Sequence, residues 1–340
     1  MMEIGVLMVP EPGRTAQTAR AIEELGLDRV VFADSQNLAP EVWGQLMLAA
    51  NATTRVRLGP GVTNSVTRDP AVTASAALAL QVESHGRAIL GIGRGDSAVQ
   101  RIGKREDKVA DFERYLAAVQ SYLRGETVDR DGFASKLEWL PRASVAKVPV
   151  EVAATGRKVI AAAARHADAI CFAVGAAPEH VGDVLAHARE AARAAGRDPA
   201  SLRYGAFINC VVHDDIPAAR DAVRGSIATF ARFSSFKGSR IERLPPPLQG
   251  AARFLRANYD MRNHTRTGVQ HSAGLSDAFV DWFGIAGPAA HAVERFQQLE
   301  ALGLDFCTVI PGSTGMPREI AVASLTNLAT AVAPALRTAT

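Results

Sequence analysis

Short apolar runs alternate along the chain with longer segments in which apolar residues recur at helical spacing. Runs of about four to eight apolar residues between glycine, proline or polar turns are typical of buried parallel strands. Eight such runs, most of them followed by a helical pattern, predict an α/β chain folded as a (β/α)8 TIM barrel, because an open doubly wound sheet usually has fewer strands. The predicted strands are Glu3–Val9, Arg29–Ala33, Val56–Val62, Arg87–Ile92, Val148–Ala154, Asp168–Val174, Leu202–Val212 and Leu304–Ile310.

One stretch, residues 230–285, breaks this alternation. It contains Pro245-Pro246-Pro247, shows little clear period, and holds a polar cluster from Asn258 to His271. Long irregular insertions in compact domains usually serve as lids or binding loops. We therefore predict an irregular insertion that forms a lid before the last barrel unit, within a single domain that spans residues 1–340.

Composition narrows the class of protein. The chain is 48% hydrophobic and carries a net charge of +3 without a basic run, which argues against nucleic acid or an anionic membrane as a partner. No apolar stretch of membrane-span length and no leader pattern is evident, so we expect a cytoplasmic protein. No CxxC or HExxH motif supports a metal site. Buried reduced thiols are expected at Cys171, Cys210 and Cys307.

The fourth predicted strand, Arg87–Ile92, runs into the turn Gly93-Arg94-Gly95-Asp96-Ser97. Glycine lets a backbone turn sharply and approach a ligand closely. Asp96 and Ser97 offer an acceptor and a hydroxyl just past the strand end, where parallel α/β proteins place their chemistry. The spacing fits neither the dinucleotide fingerprint nor a Walker loop. The alternative is an ordinary turn in which Asp96 or Ser97 caps the next helix.

Residues past the other strands would share this face of a barrel. The face lacks a Ser-His-Asp arrangement and the carboxylates of a metal hydrolase, and it suits a planar, phosphate-bearing cofactor that carries the reaction itself. Asp34 could orient the cofactor or take a proton, and the N–H groups of a helix start favour a phosphate. Each stretch could also be a plain turn, loop or cap. The candidates are Asp34, Thr63, Asn64, Ser65, Val66, Thr155, Gly156, Arg157 and Lys158.

Two histidines, His264 and His271, lie in the insertion. A histidine in a lid could act as an acid or a base, although a polar loop residue is the simpler interpretation. Tyr259 and Trp282 could line a pocket, and for both of them the sequence favours packing.

These motifs resemble the luciferase-like flavin-dependent oxidoreductase superfamily, in the branch that includes methylenetetrahydromethanopterin reductase and other enzymes using the deazaflavin coenzyme F420. The resemblance covers nearly the whole chain, and its most specific part is Leu90–Ser97. The other matching pieces are Val31–Asp34, Leu58–Asn64, Thr67–Pro70 and Gly303–Asp305.

The resemblance implies a TIM-like barrel with an insertion, and a flavin or deazaflavin on the carboxyl-end face of the strands. Relatives carry a non-prolyl cis peptide at the end of the third strand, which by position falls at Ser65–Val66. The family's acid after strand two corresponds to Asp34, and its turn after strand four to Gly95-Asp96. Its phosphate turn is usually Gly-Pro-Lys or similar, so Thr155–Lys158 departs at the proline position. The family is often dimeric, so we expect a homodimer.

The predicted activity is hydride transfer between reduced F420 and a small organic substrate, with Asp34, Asp96 or His264 managing the accompanying proton. The first alternative uses FMN, as a reductase or as a two-component monooxygenase fed by a separate flavin reductase, because a true flavin activates oxygen and a deazaflavin does so poorly. The alternative from another class is a non-catalytic barrel that binds a flavin or another small ligand. A hydrolytic barrel is a weaker hypothesis.

Overall fold

The computed structural model of the chain describes residues 1–234 and 241–338. Its strands are β1 (Glu3–Met8), β2 (Arg29–Phe32), β3 (Arg57–Pro60), β4 (Thr63–Asn64), β5 (Leu90–Gly93), β6 (Val128–Arg130), β7 (Phe133–Ser135), β8 (Val150–Ala154), β9 (Ala169–Phe172), β10 (Arg203–Val212), β11 (Ile285–Gly287) and β12 (Phe306–Ile310). Its α-helices are α1 (Thr15–Glu24), α2 (Val42–Ala52), α3 (Pro70–Glu83), α4 (Ser97–Gln100), α5 (Val109–Leu123), α6 (Leu140–Ala143), α7 (Arg157–His166), α8 (Pro178–Ala194), α9 (Ile216–Ser234), α10 (Pro246–Asn258), α11 (Gln270–Ala273), α12 (Asp277–Phe283), α13 (Ala289–Ala301), α14 (Arg318–Asn327) and α15 (Ala333–Thr338).

The apolar runs form strands that are buried on both faces. Every residue of β2, β5 and β9 is buried, as near-continuous apolar runs predict for parallel strands. Each of the predicted strands overlaps an observed one, with ends that differ by a few residues. The run predicted at Arg87–Ile92, for example, becomes a strand only at Leu90 and continues to Gly93.

The chain divides into two compact units, and the divisions fall inside β1, β9, α8 and β10. The N-terminal unit comprises Leu7–Ile170 and Ala188–Arg203. Within it β2 pairs with β3, and β5 pairs with β4 and β8, all in parallel. The hairpin β6–β7 is antiparallel and turns at Asp131-Gly132, as the Asp-Gly pair predicts. The prediction of a single domain over residues 1–340 stays a prediction.

The C-terminal unit comprises Met1–Val6, Cys171–His187 and Tyr204–Thr340. Here β12 pairs with β1 and with β10, and β11 pairs with β10, again in parallel. Strand β11 escaped prediction because its three residues are too short to show a pattern. Free, buried thiols are confirmed, and burial raises the pKa of Cys210 to about 12. The other two thiols are those of Cys171 and Cys307.

The segment predicted to be an irregular insertion, residues 230–285, is largely helical in its described part, and its role as an insertion and lid stays a prediction. Three consecutive prolines, Pro245-Pro246-Pro247, are expected to interrupt a helix. Here α10 begins at Pro246, so these prolines lie at its start, where proline is tolerated. Leu255, Phe279 and Phe283 from this segment belong to one buried core cluster with residues of α9. Residues 235–240 of the predicted insertion lie outside the described part of the chain.

The last helical stretch is longer than the sequence indicates. We expect a helix to Ala331, but the stretch runs from Arg318 to Thr338, 21 residues, through a π-helical segment at Leu328–Val332. It is long and apolar enough by composition to cross a membrane, which corrects the expectation that nothing reaches that length. Leu328, Val332 and Leu336 are buried, and 33% of the apolar window is buried in all, so length and composition are the whole of the evidence for a membrane span.

Candidate functional site

The turns that follow β2 and β5 meet in the N-terminal unit. The hydroxyl oxygens of Ser35 and Ser97 are 3.2 Å apart, and Gln36 Nε2 donates to the Ala98 carbonyl at 2.6 Å. Carboxyl ends of parallel strands are expected to share one edge of a sheet. These contacts therefore bring together two of the turns that the sequence predicts to carry the site.

Asp34 is buried, with 3% of its side chain exposed, and forms an ion pair with Arg68. The Arg68 Nη1 atom donates to Asp34 Oδ2 at 2.5 Å and to Thr63 Oγ1 at 3.1 Å. Its Nη2 atom donates to Glu41 Oε1 at 2.9 Å. Burial by itself lowers the pKa of Arg68, but hydrogen bonds and charges from Asp34 and Glu41 outweigh it, so the pKa is raised. A permanently charged guanidinium therefore fixes the Asp34 carboxylate.

The side chain of Asn64 shapes the turn after β4. Its Oδ1 accepts from the Val66 N–H at 3.0 Å, which is the geometry of an Asx turn. Ser65 Oγ donates to Asp107 Oδ2 at 2.5 Å, and the Asp107 carbonyl accepts from the Arg94 side chain. Asp107, which the sequence does not single out, thus joins the turn after β4 to the turn after β5.

A cis peptide bond lies at Gly61–Val62, between β3 and β4. This corrects the position Ser65–Val66 that the family resemblance implies. A Cβ atom at Gly61 would come within 2.4 Å of Val31 Cγ2, so only glycine fits where the chain passes β2. Ser65 and Val66 belong instead to the hydrogen-bonded turn that Asn64 shapes.

The turn after β5 requires glycine at Gly95. Its φ is +99°, and a Cβ atom there would approach Val99 Cγ2 to 2.4 Å. Asp96 follows and precedes α4, but its side chain does not bond to the first N–H groups of that helix. It instead accepts from Gln100 Nε2 at 3.1 Å. The alternative role of Asp96 as a side-chain cap is therefore wrong. Gly93, at the end of β5, is buried.

The stretch Thr155–Lys158 contains the start of α7. Gly156 is the residue before the helix and provides no side-chain cap, while Arg157 and Lys158 are exposed. First-turn N–H groups of a helix without a side-chain cap are donors for water or an anion. Because β8 pairs with β5, this helix start follows the strand beside the Gly93 turn.

His264 lies in the C-terminal unit, half-buried beside Tyr259. Its Nδ1 atom is 2.6 Å from Tyr259 Oη, which in turn is 3.1 Å from Thr229 Oγ1. The Arg232 guanidinium carbon is 4.7 Å from the centre of the Tyr259 ring. Tyr259, for which the sequence favours packing, therefore orients an imidazole, and no local pattern reveals this role.

His271 is a core histidine rather than a second loop residue. It is 1% exposed, its ring lies 4.6 Å from that of Tyr259, and its Nδ1 accepts from the Asp260 N–H at 3.4 Å. Burial lowers the pKa of His271, so its ring is neutral at pH 7.

The turns of the N-terminal unit suit a flat, phosphate-bearing organic cofactor. Gly95 has a left-handed backbone, and Val99 occupies the space that a side chain there would need. The uncapped start of α7 offers N–H donors and two cationic side chains for an anionic tail. Across residues 1–234 and 241–338 no group of three or more His, Cys, Asp or Glu could hold a metal ion.

Comparison with known families decides the class of protein. The luciferase-like monooxygenase family matches residues 3–305. The chain belongs to this family. This luciferase-like protein is 27% identical over 323 residues to the 5,10-methylenetetrahydromethanopterin reductase of Methanolobus tindarius, and the match covers 94% of this chain and 96% of that enzyme.

Solved structures share the fold of the luciferase-like chain. The F420-dependent tetrahydromethanopterin reductase of Methanopyrus kandleri aligns with a TM-score of 0.78 at 21% identity, covering 98% of this chain and 99% of that one. An F420-dependent secondary alcohol dehydrogenase, solved with an F420–acetone adduct, aligns with a TM-score of 0.76 at 18% identity over 99% of both chains. The predicted (β/α)8 TIM barrel and the predicted luciferase-like oxidoreductase family are confirmed.

Proposed function

We propose that this luciferase-like protein transfers a hydride between reduced coenzyme F420 and a small organic substrate. The observation that carries the proposal is the meeting of the turns after β2, β4 and β5, where a bare glycine backbone adjoins a buried, paired carboxylate. Support also comes from the relatives, since two structures of the same fold are named for F420-dependent reduction or alcohol oxidation.

The residues present divide into two groups that fit the two ends of such a coenzyme. Glycines at the strand tips let the backbone approach a ring, and the polar residues beside them offer hydrogen bonds to its edge. The start of α7 fits a phosphate-bearing tail. The ring would be held by Asp34, Thr63, Asn64, Ser65, Val66, Gly93, Gly95 and Asp96, and the tail by Thr155, Gly156, Arg157 and Lys158.

When bound, the deazaflavin ring supplies the hydride chemistry. The residues of the chain orient the reactants, exclude water and move one proton. Asp34, fixed by Arg68, orients the ring rather than carrying the proton. Asp96, which directly follows the Gly95 turn, and His264, which Tyr259 orients, are the proposed proton carriers.

Coenzyme titration tests the proposal. The purified protein is titrated separately with F420 and FMN while coenzyme fluorescence is followed, and oxidation of the reduced coenzyme is then measured across a panel of small carbonyl and imine substrates. Tight F420 binding with substrate-dependent oxidation is expected.

The same experiment separates the alternatives. Tight FMN binding with oxygen consumption would support the FMN-dependent monooxygenase, fed by a separate flavin reductase, and the family name gives this alternative its weight. Coenzyme that binds but is never consumed would favour a non-catalytic binding barrel.

We further propose that the protein works as a cytoplasmic homodimer whose partner is a small-molecule substrate, without nucleic acid or a membrane. The small net charge of +3 supports the absence of a polyanionic partner. Light scattering after size exclusion would measure the assembly, and a monomeric mass would contradict the dimer.

A further inference from the structure

Within residues 1–234 and 241–338, the side chain of Asn209, in β10 of the C-terminal unit, has no hydrogen-bond partner. The residue is fully buried, and neither Oδ1 nor Nδ2 is bonded to any atom of residues 1–234 or 241–338. Buried amides in folded proteins are almost always hydrogen-bonded, because burying one without a partner costs free energy of folding. An unpartnered carboxamide in the middle of a strand therefore needs an explanation.

A second unpartnered group lies on the same face of the sheet. Parallel pairing places Phe207 beside Thr308 and Asn209 beside Ile310, so these four side chains point to one side of β10 and β12. Thr308 is 1% exposed, and within the described part of the chain its Oγ1 has no partner either. The two polar groups are diagonal neighbours on a face whose other members are apolar.

The strands beside this polar pair carry no side chain at the facing positions. Gly5 of β1 pairs with Thr308 on the side away from β10. Gly284, just before β11, lies so close to β10 that a Cβ atom there would be 2.9 Å from the Asn209 carbonyl oxygen. The polar pair is thus flanked by glycine on both outer sides, so neither neighbouring position supplies a side-chain hydrogen-bond partner.

We infer that Asn209 and Thr308 form a subsite for a ligand group that presents a hydrogen-bond donor and acceptor side by side. A carboxamide donates from Nδ2 and accepts at Oδ1, which matches a lactam or imide edge, and the Thr308 hydroxyl adds a bond of either sense. This inference deepens the proposed function and rests on it, because flavin-type rings carry such an edge and a substrate can carry one too. Binding of the edge supplies the hydrogen-bond partners that residues 1–234 and 241–338 do not provide.

The substitutions Asn209→Leu and Thr308→Val test the subsite, since each keeps the shape of the side chain and removes its polar atoms. For Asn209→Leu and Thr308→Val we expect a higher Tm of the coenzyme-free protein, because no hydrogen bond is lost and an unpartnered polar group is removed. We also expect an affinity for the ligand that is weaker by about 10-fold or more. Asn327→Leu is the control, because Asn327 Nδ2 donates to the Val212 carbonyl at 3.2 Å, so its Tm should fall and its binding should not change.

Two binding measurements identify the source of the edge. Weaker binding of F420 or FMN to Asn209→Leu assigns the edge to the coenzyme. The second measurement uses uracil, which carries such an edge, and 1,3-dimethyluracil, in which the edge is blocked, as probes of the coenzyme-bound protein. If Asn209→Leu binds the coenzyme normally but loses a rise in Tm that uracil gives and 1,3-dimethyluracil does not, the edge is assigned to the substrate. A lower Tm of the variant, or unchanged binding in both measurements, overturns the subsite and leaves the proposed function standing. Wild-type protein that binds neither coenzyme overturns both.

Discussion

Replacing Arg68 with methionine tests whether the candidate site depends on a buried ion pair. The change keeps most of the apolar stem and removes the charge that faces Asp34, whose side chain is only 3% exposed. Removing one partner of a buried pair leaves an uncompensated charge, at a cost of about 3–5 kcal/mol. Because 17% of the Arg68 side chain is exposed and the bond to Glu41 is at the surface, we expect roughly 2–3 kcal/mol.

Urea denaturation of Arg68→Met, Asp34→Asn and the double variant measures this cost. We expect the double variant to be more stable than Arg68→Met, because the neutral amide at position 34 no longer places a charge in the interior. In F420 titrations both single variants should bind the coenzyme at least about 10-fold more weakly, since each one disturbs the carboxylate that orients the ring.

The exposed ion pair of Arg130 and Asp69 in the same unit is the matched control. Its side chains are 38% and 42% exposed, so Arg130→Met should cost under about 1 kcal/mol and leave coenzyme binding unchanged. Equal destabilisation by Arg68→Met and Arg130→Met would refute the argument that burial makes the first pair important. Full coenzyme affinity in a folded Asp34→Asn variant would remove Asp34 from the site.

Three further changes test other parts of the chain. Gly95→Ala should destabilise the protein and weaken coenzyme binding more than Gly103→Ala does, as measured by thermal denaturation and fluorescence titration. Both residues have positive φ, which costs alanine about 1 kcal/mol, but only Gly95 lacks space for a Cβ. Equal effects of the two substitutions would contradict this reasoning. Tyr259→Phe should lower kcat and shift the pH dependence of kcat, because the 2.6 Å hydrogen bond between Tyr259 Oη and His264 Nδ1 is lost. An unshifted pH dependence would show that Tyr259 does not act through the imidazole. Burial lowers the pKa of His271 in the folded state, so the unfolded chain takes up the proton first and the free energy of unfolding should fall as pH drops below about 6.5. Between pH 7.5 and 5.5, denaturation should show a smaller loss of stability for His271→Phe than for the wild type. An equal loss would exclude this histidine as the cause.

The strands and their turns could be predicted because their signals are local. An apolar run such as that at β2 or β5 is buried on both faces whatever its neighbours are, and a glycine with positive φ such as Gly95 marks its own turn. Asp34 could be proposed as a site residue because it directly follows a strand. The sequence therefore indicates where the turns lie.

What the sequence could not reveal are the partners of these residues. Arg68 stands in a recognised motif, yet its contact with Asp34, 34 positions away in the chain, exists only once β2 and the turn after β4 are placed together. Asp107 lies 42 positions from Ser65 and has no local pattern of its own. The cis peptide is at Gly61–Val62 rather than Ser65–Val66, and the contact with Val31 that requires glycine at Gly61 is likewise visible only in the folded chain.

Glycines that look alike in the sequence differ in what requires them. Cβ atoms at Gly59 and Gly91 would fall 2.0 Å and 2.2 Å from the carbonyl oxygens of Ile89 and Pro60, and backbone atoms cannot move aside, so strand packing demands both. A Cβ at Gly93 would meet two side-chain atoms, Val62 Cγ2 at 3.3 Å and Ala153 Cβ at 3.9 Å, and a small shift of Val62 relieves the closer contact. Packing of the chain alone would therefore tolerate alanine at Gly93. Its bare backbone is better explained by close approach of a ligand to the tip of β5, which is the role the proposed coenzyme site gives it.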